Sequence, residues 1–152
     1  MKRDEASMAD IGTRVQNIDA AALQGDLEAQ GWSVLRGLLT APQCDEFASL
    51  YKQDKGFRSR VVMERHSFGK GEYRYFAYPL PPLIVGLRDG FYARLAPLAD
   101  AWRERLGGRP DLPATHREYL ARCHAAGQQR PTPLILRYGP GDYNCLHQDL
   151  YG

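Results

Sequence analysis

Cysteine is scarce: Cys44, Cys123 and Cys145 are the only three in 152 residues, and no two stand in C-x-x-C spacing. An odd number without that spacing indicates neither a disulfide framework nor a structural zinc site, and it suits a reducing cytoplasm. Charge of one sign is lacking as well. Twenty Lys and Arg face eighteen Asp and Glu, a formal net charge of +2, so no whole-chain field draws nucleic acid or a membrane, and any basic patch must be local. Long apolar runs are missing. No window approaches the length that spans a bilayer, and the charged stretch Met1 to Met8 is followed by no apolar signal segment. No phosphate-cradling glycine loop is present either, because Phe68-Gly-Lys-Gly71 has neither the spacing nor a following helix.

What is present is an ordinary globular composition, 43% hydrophobic and 25% charged, without repeats or low-complexity tracts. It is enough for one domain with a real core. The expected organisation is a flexible polar tail over residues 1–16 and a single domain over 17–152. Asp19 to Gln30 reads as a helix with Asp19 as N-cap and Gly31 just past its end. Trp32 to Leu39 reads as a strand. Thr40 then caps a second helix, roughly Pro42 to Gln53, which is expected to bury Cys44, Phe47, Leu50 and Tyr51. Pro79-Leu-Pro-Pro82 opens a long helical pattern through Leu83, Leu87, Phe91, Leu95, Leu98 and Trp102, weakened by Gly90 and Pro97. A shorter helix covers about Ala114 to Ala126.

Between the second and third helices, Phe57 to His66 and Glu72 to Tyr78 are rich in β-branched and aromatic residues and flank a glycine-bearing turn, the pattern of a hairpin. Arg58, Arg60, Arg65, Lys70 and Arg74 interleave there with Phe57, Phe68, Tyr73 and Tyr75. Cations set among aromatics are what a nucleic-acid surface uses, holding phosphate while bases stack. The alternative is a half-buried hairpin with a solvated basic face.

The chain's last stretch carries the most chemistry. Leu134 to Tyr138 and Tyr143 to Asp149 read as two short strands around the turn Gly139-Pro-Gly141. On a regular strand, residues two apart share a face, so His147 and Asp149 converge. An imidazole and a carboxylate so placed supply two arms of the 2-His-1-carboxylate triad that holds non-haem Fe(II), though the pair suits Mn(II) or Zn(II) too, and a strand-neighbour ion pair is the simpler alternative. His66, His116 and His124 complete no triad by spacing.

The run Arg137-Tyr138-Gly-Pro-Gly-Asp-Tyr143-Asn-Cys-Leu-His147-Gln-Asp149 resembles the first metal-binding strand of Fe(II)- and 2-oxoglutarate-dependent dioxygenases. The strings Met63 to Pro82 and Gly127 to Leu134 resemble a bacterial subfamily described as oxidative demethylases of damaged DNA bases, some members of which are labelled prolyl-hydroxylase-like. The resemblance runs from about Trp32 to Gly152. It implies an α+β fold, helical support plus the first strands of an incomplete double-stranded β-helix, or jelly roll. It also implies His147 and Asp149 as iron ligands, and Tyr138, with Tyr143 as a weaker candidate, beside 2-oxoglutarate. The co-substrates would be 2-oxoglutarate and O2, and the partner damaged DNA. In such enzymes decarboxylation of the 2-oxo acid to succinate drives hydroxylation of a C–H bond, and a hydroxylated N-methyl group leaves as formaldehyde.

The family's distal histidine and its 2-oxoglutarate-gripping arginine map onto no residue here. The chain is therefore expected to be the N-terminal part of a longer enzyme, binding iron weakly and inactive alone unless a partner completes the barrel. Two other readings remain from the sequence: a protein or prolyl hydroxylase of the same superfamily, and a non-catalytic nucleic-acid-binding remnant.

Overall fold

The computed structural model describes residues 10–148. Its elements in chain order are α1 (residues 10–16), α2 (Ala20–Gln30), α3 (Ala41–Leu50), β1 (Phe57–Val62), a 3-10 turn (Met63–His66), β2 (Gly69–Lys70), β3 (Glu72–Phe76), α4 (Pro82–Arg105), α5 (His116–Ala125), β4 (Leu134–Arg137) and β5 (Tyr143–Asn144). The result is a mixture of helices and antiparallel sheets, α+β as expected. The chain divides into two compact units, Met1–Cys44 with Pro81–Gln129, and Asp45–Leu80 with Arg130–Gly152.

The first unit is helical. Asp19 caps α2 by accepting from the backbone N–H groups of Ala21 and Ala22, and Gly31 ends it in the left-handed conformation at φ 80°. These are the two signals read from the sequence. Helix α5 begins with a full capping box between Thr115 and Glu118. Ile11, Val15, Leu23, Leu83, Ile84 and Leu98 form the buried apolar set. Gly90 has a packing reason: a Cβ there would lie 3.1 Å from the Val15 side chain, a tighter contact than side chains ordinarily make, so the glycine eases the close approach of α1 to α4. Helix α4 runs through Pro97 to Arg105 as one helix. His116 pairs with Asp89, and Tyr92 donates to the Pro113 carbonyl at 2.6 Å, which tie α5 and its approach to α4.

Three expectations need correction. Residues 10–16 of the expected tail are helical and carry Ile11 and Val15 into the core; residues 1–9 lie outside the described residues. An amphipathic turn led by a polar stretch looks like a tail until its apolar side finds a surface. The expected strand Trp32–Leu39 is an unpaired segment with a turn at Gly37, φ 71°. Trp32 and Val34 stay 58% and 60% exposed, because alternation makes a strand only where a sheet edge receives it. Helix α3 does form behind Thr40, whose backbone N–H reaches the Gln43 side chain at 3.0 Å, but it buries no residue of its own. Cys44 is exposed; Tyr51, just beyond the helix, is the buried one.

The second unit holds two sheets. Strand β3 lies between β1 and β4, antiparallel to both, and β2 pairs antiparallel with β5. The hairpin of β1 and β3 is the expected one, with a bulge at Arg58 that the register jump from Phe57 to Ser59 records. The two terminal strands do not pair with each other: β4 joins β3, and β5 joins β2.

Candidate active site and the two faces of the sheet

Period-two alternation divides the three-stranded sheet into faces of opposite chemistry. Register pairs Val61 with Tyr73 and Tyr73 with Leu136, and likewise Ser59 with Tyr75 and Tyr75 with Leu134. These side chains form an apolar and phenolic face. The alternate pairs, Arg60 with Arg74, Arg74 with Ile135, and Val62 with Glu72 with Arg137, form a charged one.

The apolar face floors an open pocket of about 660 Å³ lined by Met63, Phe68, Tyr73, Tyr75, Leu134 and Leu136 on one side and by the segment Asn144 to Gln148, including His147, on the other. The position of that segment follows from one glycine. Gly69 sits at φ 122°, and a Cβ there would collide with the Tyr143 carbonyl. Only glycine lets β5 approach β2 this closely. Pairing then continues past the strand, the Cys145 N–H donating to the Phe68 carbonyl at 2.9 Å. Met63, 1% exposed, anchors the turn from below, its N–H bonded to the Gly71 carbonyl at 3.0 Å.

His147 is exposed and lies beyond the end of β5, so the strand argument for its orientation does not apply. Its ring is set differently: Nδ1 lies 2.8 Å from the Cys145 carbonyl. A carbonyl only accepts, so this contact calls for the proton on Nδ1, the arrangement in which a ligating imidazole turns Nε2 to the metal. Asp149 lies outside the described residues. Among the described residues no group of three or more His, Cys, Asp or Glu is close enough to hold a metal.

The other expected site residues are dispersed. Tyr138, 44% exposed, lines a pocket with Arg60, Glu72, Arg74 and Arg137 instead of the His147 pocket, its ring packed where Gly71 leaves room. Tyr143 is 59% exposed, opposite Lys70, and lines neither. The phenols beside His147 are Tyr73 and Tyr75, which meet edge to face at 5.5 Å. Sequence reasoning placed them in the hairpin without seeing that the β2–β5 pairing would bring the segment of His147 to the same pocket.

The five basic candidates also part company. Arg58 stacks 4.2 Å over the Tyr75 ring and donates to the Pro131 carbonyl. Arg60 grips Glu72 through Nε at 2.8 Å. Arg74 donates to the Gln53 carbonyl at 2.8 Å and lies 3.5 Å from Asp54. Lys70 faces Asp142 at 3.7 Å, and Arg65 is exposed in the 3-10 turn. Burial pushes the Glu72 carboxyl up, but Arg60, with Tyr51 and Arg137 beside it, outweighs burial and holds it below the ordinary carboxylate range. Burial, with Glu72 next to it, raises the Tyr51 hydroxyl, although that hydroxyl forms no well-directed hydrogen bond.

Comparison with known proteins matches residues 71–152 to the family Oxygenase-NA, described as an oxygenase catalysing oxidative methylation of damaged DNA. The chain belongs to this family. It is 47% identical over 77 residues to two uncharacterized proteins of Mycobacterium tuberculosis, from strains CDC 1551 / Oshkosh and ATCC 25618 / H37Rv. The matched region is 51% of this chain and 33% of each relative, so the chain spans about a third of the curated relatives it matches. No solved structure matches it. No helix among the described residues is long and apolar enough to cross a membrane.

Proposed function

We propose that the protein is part of an Fe(II)- and 2-oxoglutarate-dependent dioxygenase that demethylates alkylated DNA bases. Its two antiparallel sheets are read as the first strands of a jelly roll. The observation that carries the proposal is His147, which lines the phenolic pocket with its Nδ1 2.8 Å from the Cys145 carbonyl. This is a donor of the right kind for a divalent metal, and Asp149, two residues on, supplies the carboxylate. When bound, Fe(II) with 2-oxoglutarate and O2 supplies oxidation of a C–H bond. An oxygenase adds oxygen, not a methyl group, so on an N-methylated base its outcome is loss of the methyl as formaldehyde.

The chain's own contribution is orientation and shelter. His147 and the Asp149 carboxylate would hold the metal. Phe68, Tyr73 and Tyr75 offer aromatic faces and edges of the kind that stack on an extruded base, and Met63, Leu134 and Leu136 exclude water from the same wall. Three cysteines outside any disulfide suit a reducing cytoplasm.

The test, run on an intact member of the family because this chain alone is expected to be inactive, is succinate formation from 2-oxoglutarate with Fe(II) and a single-stranded oligonucleotide carrying an N-methylated base. The proposal expects succinate and formaldehyde in step, both requiring the methylated strand and both lost in His147→Ala. Turnover that ignores the methylated strand but responds to a proline-containing peptide, or that survives His147→Ala, would overturn it.

A further inference from the structure

The charged face of the three-stranded sheet carries a second pocket, of about 540 Å³, lined by Lys52, Arg60, Arg74 and Arg137 together with Tyr51 and Tyr138. Glu72 is the one carboxylate in its lining. It accepts from Arg60 at 2.8 Å and from Arg137 at 3.3 Å, and Asp54, outside the lining, lies 3.5 Å from Arg74, so two carboxylates face four cations and leave the group positive. The guanidiniums of Arg74 and Arg137 stand 5.0 and 5.9 Å from the Tyr51 ring centre. Among the described residues Arg74 Nε is buried without a hydrogen-bond partner, and the buried Tyr51 hydroxyl has Glu72 beside it without a well-directed bond. Each guanidinium has five N–H donors in a planar fork that matches an oxyanion. Three of the four cations, Lys52, Arg60 and Arg137, are exposed, and of these Lys52 and Arg137 are the pair chosen to meet a ligand.

We propose that this pocket binds the phosphate of a nucleotide unit, free or within a single strand, with Tyr138 at its rim offering a ring to the base. Excess positive charge selects the phosphate, the Tyr138 ring at 44% exposure is open to stacking, and the volume is in the range of small-ligand sites. The inference needs no metal and stands apart from the oxidation proposed for the opposite face.

Fluorescence anisotropy with a labelled eight-residue single-stranded DNA, without iron or 2-oxoglutarate, tests it, and adenosine monophosphate serves as competitor. Lys52→Gln with Arg137→Gln should weaken strand binding about tenfold and flatten its salt dependence by about 1.4 in log–log slope, two phosphate contacts' worth for a single strand. Arg65→Gln, on the same hairpin but outside the pocket, should change affinity less than twofold. Thermal melting and the single variant Lys52→Gln, expected at about threefold weaker binding, guard against misreading a folding defect. Competition by the mononucleotide would identify a free-nucleotide site, and its failure to compete a strand site; both support the pocket. No binding of either probe, an unchanged double variant, or an equal loss in Arg65→Gln would overturn it.

Discussion

The two faces of one three-stranded sheet are made from the same strands and differ by a single step of register. Odd-numbered positions of β3, Tyr73 and Tyr75, look toward His147; even-numbered ones, Glu72 and Arg74, look toward Arg60 and Arg137. The first face is apolar, phenolic and open, and its organising contact is backbone on backbone at Gly69. The second is ionic, and its organising contact is one carboxylate among guanidiniums. The difference teaches that a basic-aromatic string is not one surface: alternation sorts its cations from most of its phenols, and each set acquires its own partners.

The comparison can be broken most severely at Gly69. Gly69→Val places a branched side chain at a positive φ against the Tyr143 carbonyl and should destabilise the sheet unit by about 2 kcal/mol or more, with loss of any metal response at His147. Urea unfolding followed by tyrosine fluorescence measures the first and a metal titration the second. Met63→Ala, truncating a side chain 1% exposed under the same pocket, is expected to cost about 2–3 kcal/mol without touching the arginine face. Its signature is a lowered denaturant midpoint with strand binding retained.

On the charged face the expected effects are smaller. Glu72 titrates below its ordinary range, so its stabilisation is fully present above the unfolded carboxyl pKa of about 4.3 and is lost as pH falls through the lower folded value. Glu72→Gln should therefore lower stability at neutral pH by about 1 kcal/mol and flatten the acid limb of a stability profile; an acid limb as steep as the parent's would contradict the assignment. Smallest is Arg58→Gln, which removes the stack on Tyr75 and should cost about 0.5–1 kcal/mol in a thermal melt.

Much of this was legible beforehand. The caps Asp19 and Thr40, the glycine at 31, and the β-branched and aromatic flanks of the hairpin act within a few residues and fix α2, α3, β1 and β3. The strand pairings of the chain's last stretch were not legible. Nothing local in Leu134–Arg137 or Tyr143–Asn144 says that each joins a strand some sixty or more residues earlier, nor that Gly69 is the gate for one of them. Trp32 to Leu39 shows the converse, a good strand pattern without an edge to receive it. At the candidate site, His147 was readable by residue type, while its orientation came from the Cys145 carbonyl rather than from strand alternation. Tyr138 was assigned by resemblance and lies on the other face. Lys52, Tyr51 and Arg137 carried no signal until the sheet brought them around Glu72.

The measurement closest to the central claim is a Co(II) titration read by visible absorption, with Co(II) standing in for Fe(II), on the parent, His147→Ala and the Lys52→Gln, Arg137→Gln pair. If the two faces do separate work, the parent and the charged-face pair give the same saturable d–d spectrum, and His147→Ala loses it. A spectrum unchanged in His147→Ala would remove the metal from the phenolic face and with it the oxygenase reading of this site.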